Sequence, residues 1–442
     1  QTLNSFTYTH DKVGNRLTKT EIDKKTTYTY DPLYRLTQAL PTKLQGKDKE
    51  QGNKAESFSY DPVGNRLIGP EGQDYYYYNQ GNQLLSDGKH QYEYDANGNL
   101  IKKTEIDSGI IWAYFYDYEN RLIKVSKQES GETKIVSFKY DPFGRRIEKK
   151  VEANDGIKVY NYVYDNEDII LEYLTKTKDD DGEGKTRITR YVHGLGIDEP
   201  LTVEQKGDIY YYHADGLGSI IALTDKKQKV VQSYAYDSFG GFKKHGDKVK
   251  DFYAFTGRIW DKDVKLYDYR NRFYDPNIGR FISYDPSLYL RGSPEIPYLL
   301  LSLLTSPQEL HPYLYSQNNP INLTDPKGLF SIVGNCCGNE AAIRNAVQNA
   351  CNGLVFTITD KSLRDCVLRR CNNAKIECET KCDPGVHGYN YGIFGIRFHT
   401  AHICCGNTNN LYGEIAIHEW AHSCKWNHGD GKGVPGDSGY LP

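Results

Sequence analysis

Two histidines and a glutamate near the end of the chain have the spacing of a metal-dependent hydrolase. His418 and His422 stand four residues apart in the stretch His418-Glu-Trp-Ala-His422. On a helix they project from the same side, where they can share one tetrahedral zinc ion. Glu419 is then placed to take a proton from the metal-bound water, whose pKa the zinc lowers towards neutrality. The pattern predicts Zn²⁺ as the cofactor and Glu419 as a catalytic residue of a zinc-dependent peptidase.

The third zinc ligand is predicted to be His428, six residues after His422. This spacing resembles that of metzincin-type peptidases, in which a glycine lets the chain turn towards the metal. Lys425 stands at that glycine position, and the chain contains no methionine for a Met-turn. The segment therefore resembles zincin peptidases in general and departs from metzincins in particular. Asp430 and Asp437 are the alternative ligands.

Cysteine usage divides the chain near residue 330. All ten cysteines lie between Cys336 and Cys424. An even number packed into about a quarter of the chain predicts disulfide bonds and an oxidising, extracellular destination. Residues 361–382 are predicted to form a helix that begins after a cap at Asp360.

Net charge and apolar patterning argue against two classes of partner. The formal net charge is −3 and the isoelectric point is about 6.5, so no global electrostatic attraction to nucleic acid is expected. The longest apolar run, residues 298–304, is far shorter than the roughly 20 residues that span a bilayer. We therefore expect no nucleic-acid partner and no stable membrane insertion of this part of the protein.

A degenerate repeat, aromatic-x-Tyr-Asp-x-x-Gly-Asn-Arg-Leu, runs along the first half of the chain. Alternating tyrosines predict a strand, and Asp followed by Gly-Asn predicts a turn into a returning strand. One hairpin cannot bury its apolar face alone, so successive hairpins are expected to stack into a long sheet. The chain opens inside a repeat, which predicts that it is the C-terminal part of a longer protein. Copies are centred on Asp11, Asp31, Asp61, Asp95, Asp117, Asp141 and Asp165, with a decayed copy expected at Asn79.

These repeats resemble the tyrosine-aspartate (YD) repeats of the RHS family of bacterial proteins, related to teneurins and to the C components of insecticidal toxin complexes. The resemblance covers residues 1–329 and implies a continuous β-sheet spiral that forms a hollow shell. Residues 210–329 also resemble the RHS-associated core. The matching stretches include Phe255-Thr-Gly-Arg258, Arg272-Phe-Tyr-Asp-Pro276, Gly279-Arg-Phe-Ile-Ser283 and Asp325-Pro-Lys-Gly-Leu329.

The resemblance to the core implies an aspartyl self-cleavage site. By position, its catalytic carboxylates would be Asp285 and Asp325, with Arg280 nearby. Two aspartates can act as an acid and a base if their proximity leaves one protonated and the other ionised. Cleavage would follow Leu329 and leave Phe330 as a new N-terminus. The alternative is that both Asp-Pro pairs are ordinary turn signals.

The predicted fold is mainly β. It comprises a YD-repeat shell over residues 1–209, an RHS-associated core over residues 210–329, and a small, α+β, disulfide-rich, zincin-like domain over residues 330–442. The predicted function is that of a secreted or cell-surface RHS-type toxin. Its zinc endopeptidase would act on a protein or peptide substrate, be enclosed by or released from the shell, and have an immunity protein as a partner.

Two functions of other classes remain open. One is a non-enzymatic, teneurin-like adhesion protein whose cysteine-rich tip is a binding module. The other is a nuclease effector, which the sequence disfavours because residues 330–442 lack a conspicuous basic patch interleaved with aromatic residues.

Overall fold

The computed structural model describes residues 4–44, 54–70, 75–177, 185–250, 252–286 and 311–328. After residue 328 it describes residues 332–333, 363, 367, 376–379, 388–389, 392–393, 396–397 and 401–404. The described residues lie mainly in β-strands, as the repeat pattern predicts. Among them, no helix has the length and apolar character needed to cross a membrane.

The first repeats form a five-stranded antiparallel sheet and, next along the chain, a two-stranded one. The five strands are β1 (Thr7–His10), β2 (Arg16–Thr20), β3 (Lys24–Tyr30), β4 (Leu36–Lys43) and β5 (Glu56–Ser57). The two strands are β6 (Ser59–Tyr60) and β7 (Arg66–Ile68).

Within the described part of the chain, the next sixteen strands form a single antiparallel sheet. Every strand pairs with its neighbours in sequence, and the sheet runs through residues 209 and 210 without a break. The strands are β8 (Tyr77–Tyr78), β9 (Leu84–Ser86), β10 (His90–Tyr94), β11 (Leu100–Glu105), β12 (Ile111–Tyr116), β13 (Leu122–Glu129), β14 (Glu132–Tyr140), β15 (Arg146–Ala153), β16 (Gly156–Asp165), β17 (Asp168–Thr177), β18 (Lys185–His193), β19 (Pro200–Gln205), β20 (Asp208–Ala214), β21 (Ile220–Asp225), β22 (Val230–Tyr236) and β23 (Phe242–His245).

The repeat turn is built around its aspartate, as the turn after β14 illustrates. Asp141 Oδ1 accepts the backbone N–H groups of Phe143 and Arg145, each at 2.9 Å. Asp141 Oδ2 accepts Arg145 Nε at 2.7 Å. Gly144 has φ +80, a conformation that glycine adopts without the steric cost of a Cβ. The carboxylate therefore satisfies the backbone donors that the turn leaves without a strand partner.

Two copies of the repeat replace or change this turn. Asn79 Oδ1 accepts the backbone N–H groups of Gly81 and Gln83 in the same pattern, which confirms the predicted decayed copy. At Asp165 the turn is shorter, because β16 and β17 join in a hairpin in which Asp165 pairs with Asp168. The repeat therefore tolerates different turns.

The tyrosine of the motif ties neighbouring repeats together. It stands at or next to the end of an outgoing strand, and its hydroxyl donates to the carbonyl of the first residue in the preceding returning strand, at 2.6–3.0 Å. This bond closes the end of the sheet where the backbone ladder has already stopped. The pairs are Tyr30 with Arg16, Tyr60 with Leu36, Tyr78 with Arg66, Tyr116 with Leu100, Tyr140 with Leu122, Tyr164 with Arg146, and Tyr236 with Ile220.

A four-stranded antiparallel core sheet packs against the sixteen-stranded sheet. Its strands are β24 (Ile259–Asp261), β25 (Leu266–Tyr269), β26 (Arg272–Asp275) and β27 (Arg280–Phe281). Val264, Leu266 and Phe273 join one buried cluster with residues of the large sheet. Asp261 also receives Lys149 Nζ at 2.6 Å and Arg146 Nη1 at 3.1 Å from β15. Apolar contact and buried ion pairs thus fix the core to the sheet.

After residue 328 the described residues include a four-stranded mixed sheet, in the order β28 (Ile332–Val333), β29 (Ile376–Glu379), β33 (Ala401–Cys404) and β30 (Gly388–Tyr389). A separate hairpin joins β31 (Gly392–Ile393) to β32 (Ile396–Arg397). Residues 363 and 367 are helical. The helix predicted over residues 361–382 is therefore wrong in its last part, where Ile376 and Cys378 alternate with glutamates in the period of a strand.

The tyrosine bridge can be tested by removing one hydroxyl. We expect Tyr140→Phe to lower the free energy of unfolding by about 1–3 kcal/mol, because it leaves the carbonyl of Leu122 without its partner in a buried setting. Urea denaturation followed by circular dichroism measures this change. Tyr118→Phe is the matched control, since Tyr118 is 89% exposed and should change stability little. Equal effects of both variants would contradict a role for the bridge.

Candidate self-cleavage site

Arg272 brings together the two aspartates that the sequence analysis selected. Its Nη2 lies 3.1 Å from Asp285 Oδ2 and 3.3 Å from Asp325 Oδ2. The side chains of Arg272, Asp285 and Asp325 are 2%, 14% and 5% exposed. Two carboxylates about 40 residues apart in sequence therefore share one guanidinium in a nearly dry setting. Desolvated charges of this kind interact strongly, because little water screens them.

The first strand of this site is held by packing. Arg272 opens β26, and its guanidinium carbon lies 3.6 Å from the centre of the Phe281 ring. Phe281 is itself buried among Tyr267, Tyr269, Tyr274 and other rings of the core. The aromatic cluster therefore constrains the direction of the guanidinium in addition to its bonds to the aspartates.

The chain beyond Asp325 turns back at once towards the same arginine. The N–H of Gly328 donates to the carbonyl of Asp325 at 3.3 Å, which closes the Asp-Pro-Lys-Gly turn. Gly328 has φ +66, and a Cβ there would lie 2.9 Å from the carbonyl oxygen of Tyr269, so a side chain would not fit. Arg272 Nε donates to the Gly328 carbonyl at 2.6 Å. One arginine therefore holds both aspartates and the peptide group immediately before Leu329.

Arg280, the arginine predicted for the site, makes its described contacts elsewhere. Its Nη2 donates to the carbonyl of Asn82 at 2.9 Å, and its guanidinium lies over the rings of Tyr78 and Tyr313. The register of the core sheet explains the difference. Asp275 pairs with Arg280 in the ladder, so Arg280 and Arg272 project from opposite faces of the sheet.

Arg272 was not among the predicted site residues, although it opens one of the motifs that carried the resemblance to the core. Both arginines stand in Arg-Phe pairs, so residue type alone does not distinguish them. Only the pairing of β26 with β27 shows which of them faces Asp285 and Asp325.

The residues predicted to bind zinc lie outside the described residues. These are His418, His422 and His428, the alternative ligands Asp430 and Asp437, and the predicted base Glu419. Leu329 and Phe330, which flank the predicted cleaved bond, also lie outside them. The zinc cofactor and these residue roles stay predictions.

Comparison with known proteins agrees with the repeat architecture. A family model described as the teneurin YD-shell matches residues 5–321. The chain belongs to the teneurin YD-shell family. The complex TcdB2-TccC3 without its hypervariable C-terminal region superposes with a TM-score of 0.55 over 74% of this chain and 17% of the other chain, at 19% identity. This structural match supports the same fold.

Two curated relatives are toxins or nucleases. The tRNA nuclease WapA of Bacillus subtilis (strain 168) is 31% identical over 326 residues, which cover 73% of this chain and 11% of WapA. The double-stranded DNA deaminase toxin A of Burkholderia cenocepacia (strain H111) is 26% identical over 355 residues, which cover 73% of this chain and 22% of the toxin. The chain thus spans less than a quarter of either relative. With the family match, these relatives support the assignment of the chain to the RHS/YD-repeat proteins and show its similarity to polymorphic toxins.

These relatives overturn two predictions. The zinc endopeptidase acting on a protein or peptide substrate is wrong, because the relatives are a tRNA nuclease and a DNA deaminase toxin. The exclusion of nucleic acid as a partner is wrong for the same reason. Both errors have a physical cause. A five-residue H-E-x-x-H spacing does not specify the bond that an activated water attacks, and a net charge near zero does not exclude local contacts to a nucleotide.

The shared cation can be tested through stability. We expect Arg272→Gln to lower the free energy of unfolding by about 3–5 kcal/mol, because two buried carboxylates lose their counter-charge. Urea denaturation at neutral pH measures the loss. Arg190→Gln is the matched control, because Arg190 pairs with Glu204 at an exposed site and should change stability by about 0–1 kcal/mol. A similar small change at Arg272 would contradict the shared ion pair.

Proposed function

We propose that this chain is the shell and core of a self-cleaving toxin, and that Asp285, Asp325 and Arg272 cut the bond after Leu329. The observation that carries the proposal is the convergence of both carboxylates and the Gly328 carbonyl on Arg272. The bond to be cut follows the next residue along the chain. The Gly328 carbonyl, which Arg272 holds, therefore limits where the bond after Leu329 can lie relative to the two aspartates.

The chemistry is hydrolysis of one amide. One aspartate is ionised and accepts a proton from a water molecule. The oxygen of that water bonds to the carbonyl carbon of Leu329. The other aspartate, protonated, donates a proton as the bond between that carbon and the nitrogen of Phe330 breaks. The products are a carboxylic acid at Leu329 and an amine at Phe330, and transfer of the acid's proton to the amine gives a carboxylate and an ammonium group. Arg272 orients both carboxylates and stabilises negative charge as it moves between them.

The proposed target of the segment after Leu329 is nucleic acid. Support comes from the two relatives above, whose names describe action on tRNA and on double-stranded DNA. This segment has ten Lys and Arg residues and ten Asp and Glu residues, so its own formal charge is zero. Recognition would then depend on local contacts to the nucleotide more than on overall charge.

Under this proposal the predicted zinc site would act on a phosphodiester instead of an amide. A zinc-bound water can attack a phosphodiester as well as an amide. His418 and His422 are therefore the first residues to substitute in a nucleic-acid assay. The protein itself is proposed to be secreted or held at the cell surface, in keeping with its similarity to toxins and teneurins.

Self-cleavage can be tested by intact mass spectrometry of the purified chain. We expect the wild type to yield two fragments, with Phe330 as the first residue of the second. Asp285→Asn and Asp325→Asn should each leave the chain uncut, because the acid–base pair is incomplete. Asp141→Asn is the matched control: Asp141 stands in another Asp-Pro turn, paired with Arg145, and its loss should leave cleavage intact. An uncut wild type, or cleavage at the wild-type rate in both site variants, would refute the assignment.

Activity on nucleic acid can be tested with purified full-length chain, a pool of tRNA and a double-stranded DNA fragment. Electrophoresis reports strand breakage, and sequencing reports deaminated bases. We expect one of the two substrates to be altered, and His418→Ala/His422→Ala to abolish the change. Substrates left intact by wild-type chain that has separated into its two fragments would contradict the proposal and favour the adhesion alternative.

A further inference from the structure

Three consecutive residues of the core grip three consecutive carbonyls just before Leu329. Arg270 Nη1 donates to the carbonyl of Pro326 at 2.6 Å. Asn271 Nδ2 donates to the carbonyl of Lys327 at 2.9 Å. Arg272 Nε donates to the carbonyl of Gly328 at 2.6 Å. We call residues 270–272 the clamp. Each peptide group leading to the proposed cut is therefore held by a side chain of the β25–β26 turn.

The first clamp residue is also held by the sixteen-stranded sheet. Arg270 Nη2 lies 2.9 Å from Asp198 Oδ1, and Arg270 Nη1 lies 3.3 Å from Asp198 Oδ2. Arg270 Nε lies 3.1 Å from Glu167 Oε2. Asp198 stands in the loop between β18 and β19, and Glu167 stands in the turn between β16 and β17. Two turns of the large sheet thus fix one side chain of the clamp.

Arg270 has a strained backbone conformation, and its partner Asp198 is buried. Arg270 has φ +65, a left-handed conformation that residues with a Cβ adopt only when their surroundings enforce it. Asp198 also receives Arg258 Nη1 of the core, and its side chain is 8% exposed. Burial alone would raise the pKa of Asp198, but the guanidinium groups of Arg258 and Arg270 lower it. Without Asp198, two buried arginines would face each other without that shared counter-charge.

We infer that Asp198 makes self-cleavage conditional on closure of the large sheet over the core. Asp198 is a positioning residue: it acts through Arg270, which holds the Pro326 carbonyl on the path to the cut bond. A chain whose β18–β19 loop has not reached the core lacks the counter-charge that orients Arg270. Cleavage then waits until the β18–β19 loop has reached the core. This inference rests on the self-cleavage proposed above.

The rate of cleavage distinguishes this role. Cell-free translation with radiolabelled leucine, which suits a chain without methionine, allows the appearance of the two fragments to be followed on gels. We expect Asp198→Asn to slow cleavage at least tenfold, and Asp198→Glu to recover part of the rate because it restores the carboxylate. Asp208→Asn is the matched control: Asp208 is exposed at the start of β20 in the same sheet, and its variant should cut at the wild-type rate.

Asn271→Ala provides a second variant that should fold normally, because Asn271 is exposed and loses only its bond to the Lys327 carbonyl. It should slow cleavage several-fold with an unchanged thermal unfolding midpoint. Hydrogen exchange supplies a readout that needs no cleavage. In the uncut Asp325→Asn chain, adding Asp198→Asn should speed exchange of the Gly328 amide while strands β10–β15 keep their protection.

The outcomes separate the two proposals. Cleavage in the wild type with wild-type rates in Asp198→Asn and Asn271→Ala would overturn the inference and leave the catalytic assignment standing. Slower cleavage in Asp198→Asn with unchanged exchange at Gly328 would also overturn it, because the effect would not pass through the clamp. Absence of cleavage in the wild type would refute the proposed function, and the inference with it.

Discussion

The hydroxyls of seven motif tyrosines donate to the carbonyl of the first residue in the preceding returning strand, and the repeat architecture depends on that bond. Backbone pairing between β11 and β12 stops at Lys102 and Ala113, yet Tyr116 still reaches the carbonyl of Leu100 beyond that point. A buried carbonyl without a partner would be costly there. The bridge therefore lets the strands diverge into turns while the sheet stays closed, repeat after repeat.

The core sheet packs against one face of the sixteen-stranded sheet. Apolar residues such as Leu266 and Phe273 cover part of that face. Asp261, paired with Arg146 and Lys149, adds directional contacts that apolar packing does not supply. Such buried pairs lose much of their Coulomb energy to desolvation. Their main contribution here is therefore to fix the position of β24 relative to β15, more than to add stability. Arg272 lies in the core sheet that these contacts hold in place. Two aspartates that are distant in sequence can therefore share it.

The sequence of the C-terminal segment does not determine its substrate, for a physical reason. The stretch from His418 to His422 specifies at most two ligands on one helical face. The substrate of a metal-activated water depends on the cleft around it, and a short motif does not encode that cleft. The relatives that share the shell are a tRNA nuclease and a DNA deaminase toxin, so they contradict the peptidase prediction, and nucleic acid as the target is a proposal that they support. In the same way, Ile376–Glu379 was included in a helix predicted from the cap at Asp360, but it forms a strand between β28 and β33.

The sequence by itself determined the repeat. Tyr-x-Tyr alternation, the aspartate-centred turn and the decayed copy at Asn79 could all be read from it, because each depends on contacts within a few residues. It also selected Asp285 and Asp325. Tertiary structure decided which arginine serves them, because Arg272 and Arg280 project from opposite faces of the core sheet. The register between β26 and β27 sets those faces. Contact between Asp198 and Arg270 was likewise invisible in the sequence, since it forms only when the large sheet closes on the core.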